Sequence, residues 1–465
     1  MVTLANLAAV IWLGAFAAFA LRKLLRGSTA SIWLITLVFV ALCGVPLLLD
    51  LVVGRPSYEL FSGFLLASRD ELTCVLYCLY VCLIPLLWWG VAGRREAGSL
   101  VPSENVRAQW SAARRVRWIL ALVAPTPILL WLLAPDPGLY STYAMVINTP
   151  LTPEEVEHHA LLAASVKLSM LCLAGLLATA NRCVVGHLVL YLVSLLPLHW
   201  LDGKRNSVAL GLLLLLGCLW FLGRLRGIRL PIVATLLALL FAAFSIYYQE
   251  NVRGIGGEGV ATRDERYDNI RVDYGRDDVI KMAIYCELNP EMCQILDYRG
   301  QSLLFYLTVP VPREVWPEKP WPYAVYATRA ALLTRREGYL GWGVTTSWLE
   351  EAIANLGIAG FLVGPLLIAL LCYVGDSAKH PLVSVVTVLV ATLFLTVQLV
   401  AFWPLFVVWL LLVVLMRCPK SRPGLARRRL AQRVGSGTLP RCLVPGQATP
   451  VGELRLVRPV CRGIP

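Results

Sequence analysis

Apolar runs of spanning length alternate with short polar stretches along most of the chain, and one long polar stretch, 249–351, interrupts them. A bilayer core about 30 Å thick requires roughly 20 apolar residues per helix. Runs of that kind lie near 2–21, 31–53, 72–92, 118–134, 160–180, 184–201, 207–223, 230–248, 352–374, 381–398 and 401–416. The last two share one apolar stretch, divided on its length and at Pro404. The pattern predicts an all-α, polytopic integral membrane protein with about 11 transmembrane helices (10–12) and one large outer loop containing short helices. Residues 1–248 carry helices 1–8, 249–351 the extracytoplasmic (periplasmic) loop, and 352–416 helices 9–11. Residues 417–465 read as a basic, disordered cytoplasmic tail, with Arg427-Arg428-Arg429 just past the last helix and held near anionic headgroups. The first run has no basic residue before it and passes straight into Arg22-Lys23, so it reads as a retained helix rather than a cleaved signal peptide.

Composition agrees with this pattern, being 58% hydrophobic with a mean hydropathy of +0.68. Charge adds sidedness. With the N-terminus outside, segments 22–30, 93–117, 181–183, 224–229, 375–380 and 417–465 face the cytoplasm. They hold 25 basic residues against four acidic ones, while the outer segments hold 16 basic and 24 acidic residues. That is the asymmetry expected when Lys and Arg are retained inside. The net charge of +13 is then mostly topology, and nucleic-acid binding is not needed to explain it.

The polar segment 249–351 holds 12 Arg or Lys and 16 Asp or Glu, and it is where a water-facing site can be built. Gly254, Gly256, Gly257 and Gly259 loosen its start. Asp277 and Asp278 suit a helix N-terminus, and Val279, Met282, Ala283 and Cys286 form an apolar stripe after them. Asn289-Pro290 reads as the cap and first position of a second helix. Residues 302–312 are too short to span and are expected to dip into the interface or pack on helix ends. Thirteen cysteines show no metal-ligand spacing; Cys74, Cys78 and Cys82 recur on one helix face as packing residues. Cys286 and Cys293 lie outside, where a disulfide persists, and are expected either to be bridged or to pack as free thiols.

Several charged residues could carry chemistry. Lys167 lies within the fifth run, where an unpaired cation is costly, and Asp50 is its expected partner, for packing or for a polar cavity. The turn Asp202-Gly-Lys-Arg-Asn206 places Lys204 and Arg205 together on the outer side, with His199 one helical turn before. It is either a solvated turn or a site for phosphate, for which Arg offers a bidentate fork. Arg253 follows the eighth run directly. Arg313 begins the stiff, proline-rich stretch Pro312-Arg-Glu-Val-Trp-Pro-Glu-Lys-Pro320, to which Lys319 adds a second cation. Trp316 and Trp321 can stack on sugar rings or anchor at headgroups. At the re-entry into the membrane, Thr345, Thr346 or Ser347 can cap a helix with Glu350 and Glu351 in its first turn. Those carboxylates favour the helix dipole, and they also suit a general base for a sugar hydroxyl.

Four features together resemble the bacterial oligosaccharide repeat-unit polymerases of the O-antigen polymerase type, and the related O-antigen ligases. They are Gly203-Lys-Arg-Asn-Ser207 at the start of a run, Arg253 just after one, Pro312-Arg-Glu-Val-Trp-Pro-Glu-Lys-Pro320, and Ser347-Trp-Leu-Glu-Glu-Ala-Ile-Ala-Asn-Leu-Gly-Ile-Ala-Gly360. Members often have about twelve spans with both ends cytoplasmic, which differs from the count here. The resemblance implies metal-independent glycosyl transfer with no cofactor, at the outer face of the bacterial cytoplasmic membrane. The donor would be a glycan on undecaprenyl diphosphate, the acceptor a lipid-linked repeat unit, and the partners membrane lipids, a chain-length regulator and a flippase. Arg253, Arg313, Glu350 and Glu351 would be catalytic. Arg205, Lys204, Lys167, His199, Lys319, Trp316 and Trp321 would bind substrate. Without a metal, cations must stabilise the diphosphate leaving group, and a His or Glu must orient the acceptor hydroxyl.

Three other readings fit parts of the pattern. A ligase uses the same donor with another acceptor. A lipid-linked glycan flippase or transporter would place polar residues inside its spans and keep its loops short. A metal-dependent polyprenyl-phosphate-sugar transferase could hold its cation at Arg69-Asp-Glu71.

Overall fold

The computed structural model describes residues 1–417 apart from 29, 94–113, 150–151, 181–183, 226, 253–262, 309–310, 312–314, 335–342 and 379–380. The basic tail 418–465 and the glycines at 254–259 lie outside the described residues. Among the described residues the fold is helical throughout, with no strand. The helices are α1 (Val2–Leu25), α2 (Ser31–Val52), α3 (Ser62–Arg69), α4 (Glu71–Gly93), α5 (Arg114–Val123), α6 (Thr126–Leu132), α7 (Pro153–Ala178), α8 (Val184–Asp202) and α9 (Arg205–Phe221). They continue with α10 (Arg229–Asn251), α11 (Arg263–Tyr274), α12 (Asp277–Leu288), α13 (Gln301–Leu307), α14 (Tyr323–Ala331), α15 (Trp348–Ser377), α16 (Pro381–Thr396) and α17 (Trp403–Arg417).

Each of the eleven apolar runs is helical, but among the described residues seven helices are long and apolar enough to cross a membrane. These are α1, α2, α4, α8 and α15, together with Leu161–Ala178 of α7 and Arg229–Tyr248 of α10. Four apolar helices are shorter: Arg117–Leu132, Arg205–Trp220, Val383–Thr396 and Leu405–Val414. The first of these is broken between α5 and α6 at Pro125-Thr126-Pro127, because proline removes a backbone donor and clashes with the preceding turn. The chain is thus an all-helical membrane protein.

Two helices depart from regular geometry where polar groups dock. α2 carries a π turn at Val40–Gly44, a single-turn insertion that leaves backbone carbonyls without their usual partners. The Leu42 carbonyl accepts the Arg276 N–H at 3.0 Å. α15 breaks into a 3-10 turn at Gly357–Ala359. Gly357 has φ +59°, and a Cβ there would stand 2.6 Å from the Arg299 guanidinium, so no other residue fits this bend without strain. At the other end of α15, Asp376 accepts from the Ser31 amide at 2.9 Å and from its hydroxyl at 2.5 Å, capping α2.

α12 is the centre of the polar segment. The sequence suggests one apolar stripe, but every residue from Asp277 to Cys286 is buried, because α12 packs against α3, α4 and α15 at once. Its charged face is therefore neutralised by protein rather than by water. Cys286 and Cys293 are disulfide-bonded, with Cα atoms 4.7 Å apart. Seven residues of continuous helix would hold them about 10 Å apart, so the chain must turn. Met292 and Cys293 both donate to the Asn289 carbonyl. The expected second helix at Asn289-Pro290 is accordingly absent, and the next helix begins at Gln301.

Candidate functional site

Five buried ionisable side chains from three helices meet at the polar end of α2. Arg271 of α11 donates to Asp50 of α2 at 2.5 Å and to Asp277 of α12 at 2.6 Å, and it lies 3.7 Å from Asp278. Lys281, one turn along α12, lies 2.7 Å from Asp277, 3.5 Å from Asp50 and 4.0 Å from Asp278. None of the five is more than 5% exposed. Such charges are tolerable only because each has a partner; an isolated one would cost several kcal/mol. Three carboxylates against two cations leave one negative charge in excess. Burial, with Asp277 next to it, pushes the Asp278 carboxyl up to about 7. Burial also acts on Asp277, but Arg271 and Lys281 outweigh it and hold that carboxyl below its ordinary range.

This arrangement corrects the expected pairing of Asp50 with Lys167. Lys167 lies on α7, which packs against α5, α6, α8 and α9, whereas Asp50 is claimed by Arg271 and Lys281. The cations that satisfy Asp50 come from the polar segment, far along the sequence.

Beside this network lies a buried cation without a carboxylate contact among the described residues. Arg276 is 5% exposed, and its guanidinium donates to the carbonyls of Gly275 at 2.6 Å, Thr396 at 2.9 Å and Asp273 at 3.2 Å. Burial lowers its pKa, and the opposing charge that acts on it most strongly is Glu350. Glu350 and Glu351 are both fully buried at the start of α15. Ser347 caps this helix, and Glu350 closes the capping box by accepting from the Ser347 amide and hydroxyl. Glu351 accepts from the Ser302 hydroxyl at 2.7 Å and the Tyr306 hydroxyl at 3.0 Å. Asn355 donates to Ser302 at 2.8 Å and to the Glu351 carbonyl at 2.7 Å, so α13 is docked on the first turns of α15.

The turn between α8 and α9 forms a second polar cluster. Gly203 takes φ +63°, and its carbonyl accepts from the Tyr248 hydroxyl at 2.8 Å. Ser207 donates to the Lys204 carbonyl at 2.7 Å and lies 2.8 Å from His199 Nδ1; His199 Nε2 lies 2.6 Å from the Tyr143 hydroxyl. Arg205 pairs with Asp273 of α11 through both terminal nitrogens, and it donates to Ser245 at 3.2 Å. Lys204 is exposed. Asp202 is fully buried, and neither of its oxygens accepts a hydrogen bond from the described residues. Lys167 and Lys204 are the cations acting on it.

The remaining sequence candidates are dispersed. Lys319 is buried, with Nζ donating to the Val311 carbonyl at 2.9 Å and lying 5.2 Å above the Phe305 ring. Trp316 is half-buried, and the Trp321 amide donates to the Tyr326 hydroxyl at 3.0 Å. Asp70 of Arg69-Asp-Glu71 caps α4 by accepting from the Thr73 amide at 2.8 Å. Arg253 and Arg313 lie outside the described residues. The sequence pattern alone does not mark Arg271, Arg276 and Lys281 as site residues. The signal available for two of them was Arg271 and Lys281 at helical spacing around Asp277-Asp278, which suggests mutual neutralisation; nothing local marks Arg276 as buried.

Comparison with models of known families, with curated proteins and with solved structures finds no match to this chain.

Proposed function

We propose that this protein polymerises lipid-linked oligosaccharide repeat units at the outer face of the bacterial cytoplasmic membrane. In this reading the seven long helices and the four shorter apolar ones make eleven crossings, with the N-terminus and the polar segment outside. The observation that supports it most is the buried pair of opposite charges held apart, Arg276 and Glu350. Glycosyl transfer from a diphosphate carrier needs both. The acceptor hydroxyl oxygen bonds to the anomeric carbon while the bond from that carbon to the diphosphate breaks. The bonding electron pair leaves with the diphosphate, and the hydroxyl proton passes to a carboxylate. A buried guanidinium with no carboxylate in contact is suited to the leaving group's charge, since electrostatic stabilisation is strongest where water is excluded. Glu350 accepts two hydrogen bonds from Ser347, and a carboxylate has about four acceptor positions, so it retains capacity for the acceptor hydroxyl. Arg253 and Arg313 are proposed as further diphosphate contacts, with Arg205, Lys204, Lys167, His199, Lys319, Trp316 and Trp321 on the substrate side.

The test is polymer formation from undecaprenyl-diphosphate-linked repeat units by the full chain in membranes, resolved as a ladder on a gel. The wild type should form it. Arg276→Ala and Glu350→Gln should each slow it by about 100- to 1000-fold while the protein remains inserted, and Arg276→Lys should restore little. A wild-type chain that leaves the single repeat unextended, or variants that extend it at the normal rate, would overturn the reading.

A further inference from the structure

An apolar cleft opens between four helices near the start of α2, at the opposite end of that helix from Asp50. Leu213, Gly217 and Trp220 of α9 line it together with Leu34 of α2, Leu230 of α10 and Leu389 of α16. The lining is leucine, valine, glycine and tryptophan, with no charged or hydroxyl group to orient a sugar or a nucleotide. Gly217 keeps the cleft open, because a Cβ there would already stand 3.2 Å from Val385 Cγ1 of α16. Trp220 and Leu230 sit one residue from the ends of α9 and α10, whereas Leu213 and Leu389 lie eight residues in from the ends of α9 and α16. Eight residues of helix rise about 12 Å, and one leaflet's share of the hydrocarbon core is about 15 Å. The cleft thus has the depth of the acyl chains of a single leaflet.

The turn 222–229 borders the mouth, since it joins Trp220 to Leu230. It holds Arg224, Arg226 and Arg229 and no acidic residue; Arg226 lies outside the described residues. Gly223 at φ +70° and Gly227 at φ +55° let the chain reverse sharply, and the Arg224 amide donates back to the Leu219 carbonyl at 3.0 Å. Leu225 is folded inwards, while Arg224 and Arg229 are exposed. Lys23 in the last turn of α1 and Arg26 just after it stand at the same end of the bundle, because α2 begins a few residues on. Asp376 at this end is already engaged by Ser31.

Apolar walls of this depth suit a hydrocarbon chain, and cations at the mouth suit a phosphate. A free phosphate gains nothing from the walls, and a headgroup with no net charge gains little from the arginines. We propose that the cleft and the turn bind an anionic phospholipid of the leaflet at this end, with one acyl chain between α9 and α16 and its phosphate on Arg224 and Arg229. Basic residues at the ends of membrane helices attract anionic headgroups, and a guanidinium fork matches phosphate oxygens. The proposal stands apart from glycosyl transfer, since none of its residues belongs to the Arg276–Glu350 pair.

Bromine on an acyl chain quenches an indole that it touches, which makes Trp220 the reporter. The full chain in detergent is titrated with phosphatidylglycerol or phosphatidylcholine brominated on the chain, and tryptophan emission is read. Phosphatidylglycerol should quench at a lower concentration than phosphatidylcholine, and the quenching that separates the two should be missing from Trp220→Phe. Arg224→Gln and Arg229→Gln should each raise the concentration needed by about 5-fold, and together by about 30-fold. Both side chains are exposed, so these variants should keep the wild-type thermal midpoint. Gly217→Leu fills the cleft and should remove the Trp220 component; should that variant not fold, the arginine variants and Trp220→Phe decide alone. Inorganic phosphate should not displace the lipid. Equal quenching by the two lipids would overturn the proposal, as would full quenching in Trp220→Phe or an unchanged titration in the double arginine variant. A folded Gly217→Leu that quenches like the wild type would place the lipid elsewhere, and displacement by phosphate would leave only an anion site; either result overturns it too.

Discussion

The Arg271 guanidinium donates to Asp50 at 2.5 Å across 221 positions of sequence, and it is one of the contacts that tie the polar segment to the end of α2. Both side chains are at most 4% exposed. Removing one member of a buried pair leaves an uncompensated charge, which costs about 3–5 kcal/mol. Asp50→Asn and Arg271→Gln are each expected to destabilise by that amount in denaturant unfolding of the detergent-solubilised protein. The double variant should lose clearly less than the sum of the two; additive losses would show that the residues act independently.

Stability should also depend on pH through Asp278. Its folded-state pKa of about 7 lies above the ordinary 3.8, so the folded protein holds a proton that the unfolded chain releases. Its contribution is fully present below pH 3.8 and is lost as pH rises through about 7. His159 acts with the opposite sign, because its folded pKa of about 4 is below 6.5; its contribution is present above 6.5 and lost as pH falls towards 4. Between pH 6.5 and 8 the His159 contribution is already complete, while that of Asp278 is being lost. The wild-type thermal midpoint should fall over that interval, and in Asp278→Asn it should fall less. An equal slope in both would remove Asp278 as the cause.

The Cys286–Cys293 bridge predicts that alkylation of the non-reduced, denatured protein leaves both thiols unmodified. Closing so short a loop stabilises by about 2–3 kcal/mol in the chain-entropy model. Cys286→Ala with Cys293→Ala should lower unfolding stability by that amount. Labelling of both cysteines before reduction would show that the bridge does not form in the protein as made.

Sidedness can be read directly. The distribution of 25 basic residues on one side and 16 on the other predicts that reporter fusions at Gly98 and Gly257 respond in opposite compartments. A shared compartment would be incompatible with the eleven-crossing arrangement.

The seven helices long and apolar enough to cross a membrane are legible as apolar runs, because spanning a bilayer forces a long local signature. The Ser347 cap was legible too, since Ser347-Trp-Leu-Glu350 carries its own partners within one turn. Depth was not. Asp277, Asp278 and Lys281 read like a solvated helix start, yet they are buried, because their partner Arg271 and the docking helices α3, α4 and α15 are set by tertiary contacts. Likewise, Arg205 resembles a free phosphate ligand until Asp273, 68 positions on, occupies its fork. Asp202 reads as part of a solvated turn, and its full burial becomes visible only once the neighbouring side chains are placed.

The π turn at Val40–Gly44 acts as a phase shift within α2. An inserted residue rotates everything beyond it by about 100° relative to a regular helix. The half of α2 before the turn and the half after it thus point different faces at their surroundings, and Asp50 owes its bearing towards Arg271 to that offset. Deleting one residue within 40–44 would restore regular winding and leave that bearing nearly unchanged, but winding the same residues as a regular helix would swing Asp50 about a quarter turn away. The polar segment would lose its anchor while the apolar composition of the helix stayed the same. For a chain of this kind the count of residues in one turn can matter as much as their chemistry.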